Sequence, residues 1–197
     1  MTLAVTPAIQ VDRSAGVTAP AGFRAAGVIA GIKPAGKPDL TVVVNDGPYY
    51  AAAGVFTTNK VKAAPVLWSQ QVLTAGQLKA VVLNSGGANA CTGPEGFQDT
   101  HQTAEKLAAV LGVGAAEIGV CSTGLIGERL PMDKLIPGID AAVDALGNGP
   151  SDGLAAATAV MTTDKVPKQA VLTHPDGWSI GGFAKGAGMC APNMATM

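Results

Sequence analysis

The sequence contains few aromatic and few charged residues, and both shortages limit what the protein can be. Of its 197 residues, 4% are aromatic and 14% are charged, against about 25% charged in an ordinary globular domain. A disordered chain needs low hydrophobicity and high net charge, whereas this chain is 48% hydrophobic and carries a net charge of -1. That balance also disfavours a basic nucleic-acid-binding surface. The core must therefore consist of Val, Ile, Leu and Ala.

Cysteine and histidine are also scarce. The three cysteines, Cys91, Cys121 and Cys190, are odd in number and widely spaced, which favours buried thiols in a reducing cytoplasm over a disulfide framework. The two histidines, His101 and His174, have no partners at metal-ligand spacing. We therefore expect no metal site of the Cys/His type, and we expect both histidines to be surface residues.

Long apolar runs are missing too. No segment reaches the roughly 18 consecutive apolar residues of a membrane span. Residues 1–21 lack the basic start and apolar stretch of a secretory signal, and we expect a cytoplasmic protein with no membrane partner. Residues 1–15 are interpreted as a loose arm, and residues 16–195 as a single domain.

What the sequence does contain is an alternation of strand and helix patterns. The predicted strands are 39–45, 50–58, 79–84, 117–121, 169–173 and 178–183, the last two forming a hairpin. The predicted helices are 99–111, 131–146 and 151–161. We expect Asp99 or Thr100 to cap the first of these helices. The mixture predicts an α+β or layered α/β architecture.

Two glycine-containing segments follow predicted strands. A turn at Ser122-Thr123-Gly124 can direct a backbone N–H and a hydroxyl to one point, as an oxyanion hole requires, or it can be a simple strand-to-loop turn. Residues 84–90 lack the lysine and spacing of phosphate-binding loops, which favours a turn packed tightly against a neighbour.

Three polar residues further along the chain also have two interpretations. Thr162 and Asp164 close a predicted helix, where they can form a turn or bind a polar substrate. Lys185 lies in the glycine-rich stretch 181–188, where it can bind a substrate carboxylate or remain a solvated charge.

The C-terminal stretch 181–197 is apolar and glycine-rich, and it contains a candidate nucleophile. Such a segment is typical of a shortened chain or of one half of a protein made by internal cleavage. Thr196 stands near its end. Cleavage of the peptide bond before a threonine creates a nucleophilic hydroxyl together with an α-amine that can take its proton. Most threonines, however, are structural.

Taken together, these segments resemble the ArgJ-type ornithine acetyltransferases, also called glutamate N-acetyltransferases. The resemblance runs from about Gly16 to the last residue. The matching segments are GVTAPAGFRAAGV (16–28), AAPVLW (63–68), LNSGGANACTG (83–93), CSTGLIG (121–127), MTTD (161–164) and AKGAGM…APNMATM (184–197). The resemblance implies a layered α/β/β/α sandwich, similar to that of self-cleaving aminopeptidases and N-terminal nucleophile enzymes.

The resemblance also implies a role for individual residues. Members of the family cut themselves at an Ala-Thr bond, which corresponds here to Ala195–Thr196. Thr196 would then be the nucleophile and the first residue of a β chain. Thr123 and Gly124 match the oxyanion-hole pair, and Thr162, Lys185 and Thr196 match substrate-binding positions. The sequence departs from the family pattern by continuing through Thr196 and Met197.

The implied reaction moves an acetyl group from N2-acetylornithine to glutamate, in arginine biosynthesis, through an acetyl-threonine intermediate. The implied partner is the β chain of the same precursor, in an α2β2 assembly, and no metal or redox cofactor is expected. These residues do not decide whether acetyl-CoA is a second acetyl donor.

Two other functions fit the sequence less well. A related self-cleaving aminopeptidase would use an N-terminal serine, and Thr196 speaks against it. A non-catalytic binding module is disfavoured because Thr123, Gly124, Thr162, Lys185 and Thr196 are all present.

Overall fold

Two β-sheets and four α-helices make up residues 10–188, the part of the chain that the computed structural model describes. The strands are β1 (Gln10–Asp12), β2 (Phe23–Val28), β3 (Leu40–Asn45), β4 (Ala80–Gly87), β5 (Ile118–Leu125), β6 (Lys168–Thr173) and β7 (Ser179–Ala184). The helices are α1 (Ala64–Val72), α2 (Gly93–Leu111), α3 (Met132–Asp144) and α4 (Pro150–Ala159). Short 3-10 helices span Pro34–Gly36, Leu73–Ala75 and Ala115–Glu117.

The larger sheet has the strand order β2-β3-β4-β5. β3 pairs antiparallel with β2 and with β4, whereas β4 and β5 are parallel. A parallel pair needs a long crossover, and α2 provides it. The carboxyl ends of β4 and β5 therefore lie side by side, which is where ligands bind in open α/β sheets.

One face of this sheet carries the main hydrophobic core. Alternate residues of β3, β4 and β5 pack there against α2 and α3. The largest fully buried members from the three strands and the two helices are Leu40, Val42, Val82, Ile118, Leu107, Leu135 and Ile139. Apart from Trp68, the buried residues of this core are Val, Ile, Leu and Ala, as the composition predicts.

Helix α1 covers the outer edge of β5. The indole N–H of Trp68 donates to the carbonyl of Ile118 (2.9 Å). The hydroxyl of Ser69 donates to the carbonyl of Val120 (2.7 Å) and accepts from its N–H (3.1 Å). These contacts satisfy backbone groups that an exposed edge strand would leave unpaired.

The opposite face of the larger sheet is only partly covered. Helix α4 lies over β2 and β3, where the Thr41 hydroxyl donates to the carbonyl of Ala156 (2.8 Å). A Cβ on Gly27 would lie 2.1 Å from the carbonyl oxygen of Ala155, so this close approach requires glycine. Further along the same face, Val81 and Cys121 are half-buried and line a cavity of about 310 Å³.

The smaller sheet has the order β1-β6-β7, all antiparallel. The predicted hairpin is confirmed as β6 and β7, joined by a turn in which the N–H of His174 donates to the carbonyl of Trp178 (2.9 Å). Gly177 in this turn has φ of +92°. The hairpin places Lys185 directly after β7.

The predicted strand 50–58 is wrong. Within it, only Ala51 forms a strand-like bridge, with Gln77, and Val55 is fully exposed. The segment instead pairs with the loop before β4, where the N–H of Ala52 donates to the carbonyl of Gly76 (2.9 Å) and the N–H of Leu78 donates to the carbonyl of Tyr50 (3.0 Å).

Several boundaries also differ from the prediction. β4 and β5 continue through Gly87 and Leu125, because their glycine-rich ends pair with each other instead of turning away. Helix α2 begins at Gly93, so Asp99 and Thr100 lie inside it and neither caps its start. Helix α1 and strand β2 were not predicted at all.

The N-terminal segment contains one described element. Residues 10–12 of the predicted arm form β1, which pairs with β6, and residues 1–9 lie outside the described part. Among the helices of residues 10–188, none is both long enough and apolar enough to cross a membrane.

Candidate active site

The floor of the candidate site is the paired ends of β4 and β5. Thr123 is 6% exposed and stands opposite Ser85, and Gly124 stands opposite Gly86. Gly124 has φ of +137°, and a Cβ added to it would lie 2.3 Å from the carbonyl carbon of Gly86. Only glycine fits this position, because two backbones touch there.

A buried hydrogen-bond chain fixes these two strand ends below the site. The hydroxyl of Ser122 donates to Oδ1 of Asn84 (2.6 Å), and Nδ2 of Asn84 donates to the carbonyl of Gly87 (3.0 Å). Ser122 is fully buried and Asn84 nearly so. A satisfied buried network of this kind is rigid, so the orientation of the neighbouring Thr123 is well defined.

Lys185 joins two hydroxyls from distant parts of the chain. Its Nζ donates to Oγ1 of Thr123 (2.9 Å) and to Oγ1 of Thr162 (2.7 Å). Partial burial lowers the pKa of Lys185 from its ordinary value, and the nearby Asp164 carboxylate opposes that shift. An ammonium has three protons, so one remains for a further acceptor after these two bonds.

Asp164 ties together the segments that carry Thr162 and Lys185. Its carboxylate accepts the backbone N–H of Thr162 (3.1 Å) and of Gly186 (2.7 Å), and it forms an ion pair with Lys168. Its side chain is inaccessible to solvent. Burial alone would raise the pKa of Asp164, but the hydrogen bonds from Lys168 and the two N–H groups lower it well below its ordinary value.

The direction of these hydrogen bonds determines what the site can do. A protonated lysine can only donate, so the Thr123 and Thr162 hydroxyls accept from Lys185 and keep their own protons for another acceptor. Two O–H donors and one ammonium proton thus remain for other acceptors, and both hydroxyl oxygens lie within 2.9 Å of Nζ. Such a group of donors can bind a carboxylate or stabilise an oxyanion.

The chain that leaves Gly124 is anchored to α2. The N–H of Gly127 donates to the carbonyl of Ala90 (2.9 Å). The guanidinium of Arg129 donates to both oxygens of the nearly buried Asp99 carboxylate, at 2.9 and 2.5 Å. This two-pronged contact holds the loop after β5 in one position relative to the helix.

The structure brings together Thr123, Gly124, Thr162 and Lys185, the four predicted site residues that lie within its described part. Thr196 and the predicted cleavage position Ala195 lie outside it. Asp164 was considered for substrate binding, but its part in joining Thr162 to Lys185 was missed. No spacing rule would have found it, because the usual Asx turn joins an aspartate to the N–H two residues after it, whereas Asp164 accepts the N–H two residues before it.

The histidines lie away from this site. His101 is exposed on α2, with its ring edge-on to Trp68 at 5.0 Å between centroids. His174 is half-buried in the hairpin turn and stacks on Trp178 at 4.5 Å. Within residues 10–188, no three His, Cys, Asp or Glu side chains are grouped so that they could hold a metal ion.

The thiols have contrasting environments. Cys91 and Cys121 are both free, and Cys190 lies outside the described residues. Cys91 is exposed, so the prediction of a buried thiol is wrong there. It lies two residues before α2 begins. Its φ is +57°, and that of the nearby Asn89 is +47°. Burial raises the pKa of the Cys121 thiol to about 11.

Comparison with known proteins gives matches to both the sequence and the fold. The chain is 65% identical over 195 residues to the arginine biosynthesis bifunctional protein ArgJ of Mycolicibacterium paratuberculosis, covering 96% of this chain. It matches a structure of ornithine acetyltransferase complexed with ornithine from Mycobacterium tuberculosis at TM-score 0.92 and 64% identity, covering 94% of this chain and 98% of that one. It matches ArgJ from Bacillus halodurans at TM-score 0.85 and 35% identity, covering 96% and 100%.

The chain spans about half the length of the curated relatives that it matches, 48% in the case of the Mycolicibacterium paratuberculosis protein. The model of the ArgJ family matches residues 24–197, which include every predicted site residue. The mixed α/β fold described above agrees with that of the two solved structures. This chain therefore belongs to the ArgJ family.

Proposed function

We propose that this chain is the α chain of a self-cleaving acetyltransferase that moves an acetyl group from N2-acetyl-L-ornithine to L-glutamate. The observation that carries the proposal is the convergence of Thr123, Thr162 and Lys185 through the two hydrogen bonds of the lysine. The similar protein from Mycobacterium tuberculosis is an ornithine acetyltransferase complexed with ornithine. The similar ArgJ proteins act in arginine biosynthesis.

In this proposal the nucleophile is Thr196. Cleavage of the Ala195–Thr196 bond frees the α-amine of Thr196, which takes the proton of its own hydroxyl as Oγ1 attacks the acetyl carbonyl carbon. The acetyl C–N bond then breaks, and ornithine leaves with that proton on its α-amine. In the second half, the α-amine of glutamate attacks the acetyl-threonine ester and releases the free Thr196 hydroxyl.

Both halves pass through a tetrahedral oxyanion, and Thr123 and Gly124 are the proposed donors to it. The support for Thr123 is geometric, because Lys185 donates to its oxygen and leaves its proton to face the reacting group. The support for Gly124 is its strand-end position with φ of +137°, which side-chain-bearing residues rarely adopt. Removing one such donor typically costs about 10² to 10³ in rate.

Thr162 and Lys185 are the proposed substrate-binding groups of this chain, together with Thr196. The remaining ammonium proton of Lys185 and the Thr162 hydroxyl suit the carboxylate that both amino-acid substrates carry. The half-buried position of Lys185 strengthens its attraction for a carboxylate, because partial exclusion of water lowers the local dielectric constant.

The proposed partner is the β chain of the same precursor, in a cytoplasmic α2β2 assembly. The half-length match to the curated relatives supports a second chain. One face of the larger sheet is incompletely covered, and Val81 and Cys121 on it are half-buried. This partly open face supports the proposed sandwich, in which a second sheet packs against it.

Mass spectrometry of the precursor and its products tests the proposal. Incubation with N2-acetylornithine should add one acetyl group to the chain that begins with Thr196, and glutamate should remove it. Thr196→Ala should leave one uncut polypeptide, whereas the control Thr173→Ala, an exposed strand residue, should yield two chains. Absence of the acetylated chain, or cleavage of the Thr196→Ala precursor, would overturn the proposal.

A further inference from the structure

The segment between β2 and β3 places a lysine directly behind the candidate active site. Nζ of Lys33 donates to the backbone carbonyls of Pro38 (2.8 Å), Ala159 (3.4 Å) and Met161 (2.6 Å). These three bonds use all three ammonium protons. Lys33 is half-buried, so the carbonyls replace part of the water that would otherwise solvate this charge.

Two of these carbonyls, those of Ala159 and Met161, lie at the end of α4, and the chain continues from them directly to Thr162. Ala159 is the last residue of the helix, where a cation is favourably placed against the helix dipole. The Met161 carbonyl belongs to the peptide bond that joins Met161 to Thr162. The N–H of that same peptide donates to Asp164. The peptide is therefore held on both sides, by Lys33 at its oxygen and by Asp164 at its nitrogen.

The backbone of Lys33 is itself fixed. Its N–H donates to Oδ2 of Asp39 (2.8 Å), a fully buried carboxylate that also accepts the N–H groups of Ala30 (2.7 Å) and Gly31 (3.1 Å). A Cβ added to Gly86 would lie 3.3 Å from Cγ of Lys33. The aliphatic part of Lys33 thus packs beside Gly86, which pairs with Gly124 at the end of β4. Its ammonium binds the carbonyl of Met161, the residue before Thr162.

We propose that Lys33 is a positioning residue, which directs the Thr162 hydroxyl towards Lys185 by holding the Met161 carbonyl. It touches no substrate and acts through Thr162. This inference rests on the proposed function, because it assigns Lys33 to the binding of the amino-acid substrate. A lysine that served only the general stability of the fold would affect ornithine binding independently of Thr162.

A double-mutant cycle on the full, processed protein distinguishes these roles. Ornithine affinity is measured by calorimetry for the wild type, Lys33→Met, Thr162→Val and the double variant, with acetyl transfer assayed in parallel. Each single change should weaken binding about tenfold, the effect expected from loss of one charged hydrogen bond. The double variant should bind like Thr162→Val alone. Lys37→Met, an exposed lysine in the same segment, is the charge-matched control and should bind normally.

Unchanged affinity in Lys33→Met, or a double variant whose loss is the product of the two single losses, would overturn the inference. If Lys33→Met does not fold, Lys33→Arg replaces it in the same cycle. Lys33→Arg alone should lower ornithine affinity by less than Lys33→Met, and combined with Thr162→Val it should cause no further loss of affinity. A wild-type protein that binds ornithine with this coupling but transfers no acetyl group would refute the proposed function and leave the positioning role intact. A wild type that binds no ornithine would overturn both.

Discussion

Among the single side chains, Lys185 makes two threonine hydroxyls accept a hydrogen bond and leaves their protons for other acceptors. Because its ammonium donates to both Thr123 and Thr162 and has no acceptor, neither threonine can donate to the lysine. Thr123 is almost fully buried, and the ordered pair Asn84 and Ser122 supports the strand next to it. The cost of orienting the donors is thus met during folding, which is the feature that makes an oxyanion hole effective.

Thr123→Val tests this argument directly. It removes the hydroxyl with little change in volume, and we expect acetyl transfer to slow by about 10² to 10³. Ornithine affinity should change much less, because Lys185 keeps its bond to Thr162. Steady-state kinetics and calorimetry on the processed protein measure the two quantities. Thr123→Ser, which keeps the hydroxyl, is the control; equal losses of rate and affinity in Thr123→Val would contradict the assignment.

Asp164 makes the stability of this region depend on pH. Its pKa in the folded protein lies below the ordinary value of about 3.9, so the folded state favours the ionised carboxylate. The stabilisation is fully present above the unfolded pKa and is lost as the pH falls through the folded one. Asp164→Asn should therefore lower the melting temperature by a constant amount between about pH 5 and pH 7. That difference should shrink progressively below about pH 4.

Thermal unfolding of the two proteins across this pH range is the measurement. Asp176→Asn removes an exposed carboxylate from the hairpin turn, and as the control it should leave the melting temperature almost unchanged at every pH. A difference between wild type and Asp164→Asn that grows as the pH falls would show that the sign of the argument is wrong.

Between β4 and β5, the contact of two glycines sets the shape of the site. The Gly86 and Gly124 backbones approach so closely that no side chain fits on Gly124. Gly124→Ala should destabilise the protein by about 3 kcal/mol or more, since it adds overlap with backbone to the cost of a positive φ. Gly127→Ala is the matched control, because Gly127 also has a positive φ (+88°) but open space around it. It should cost only about 1 to 2 kcal/mol.

Urea unfolding midpoints of the processed protein compare the two substitutions. Equal losses of stability would mean that backbone conformation alone explains the requirement for glycine and that the close approach of the strands contributes nothing.

The elements that could be predicted from the sequence are those with a local signal. The β-branched run of β3 and the apolar face of α3 define their elements without help from the rest of the chain. The segment 50–58 has the same local appearance, but only Ala51 within it forms a strand-like bridge, so tertiary context overrides its pattern. The glycine ends of β4 and β5 show the reverse, since they have the composition of turns but pair as strands.

The candidate site was predictable only through the resemblance to a family. Thr123 and Thr162 lie 62 and 23 positions from Lys185 in the sequence, and no spacing rule joins residues so far apart. Asp164 and Lys33 are harder still, because each works through backbone groups that look alike in every sequence. Their roles follow from how the segments after α4 and β7 meet, which only the folded chain shows.

The protein as a whole presents its larger sheet with one face sealed and the other partly open. The sealed face holds the core with α2 and α3, whereas the other is covered by α4 over β2 and β3 and leaves Val81 half-buried. Apolar surface of this kind is stabilised when it packs against a partner. In the proposed sandwich, that partner is the sheet of the β chain.

A charge placed on this face should therefore prevent assembly without unfolding the α chain. Val81→Glu in the full precursor should sharply reduce recovery of the β chain with a tagged α chain, because a carboxylate would be buried without a partner. Val110→Glu makes the same change on the outer side of α2, where Val110 is 39% exposed, and it should leave assembly intact. Affinity copurification followed by light scattering measures both. If Val81→Glu assembles as well as Val110→Glu does, then the β chain does not pack on this face, and the proposed sandwich must be abandoned.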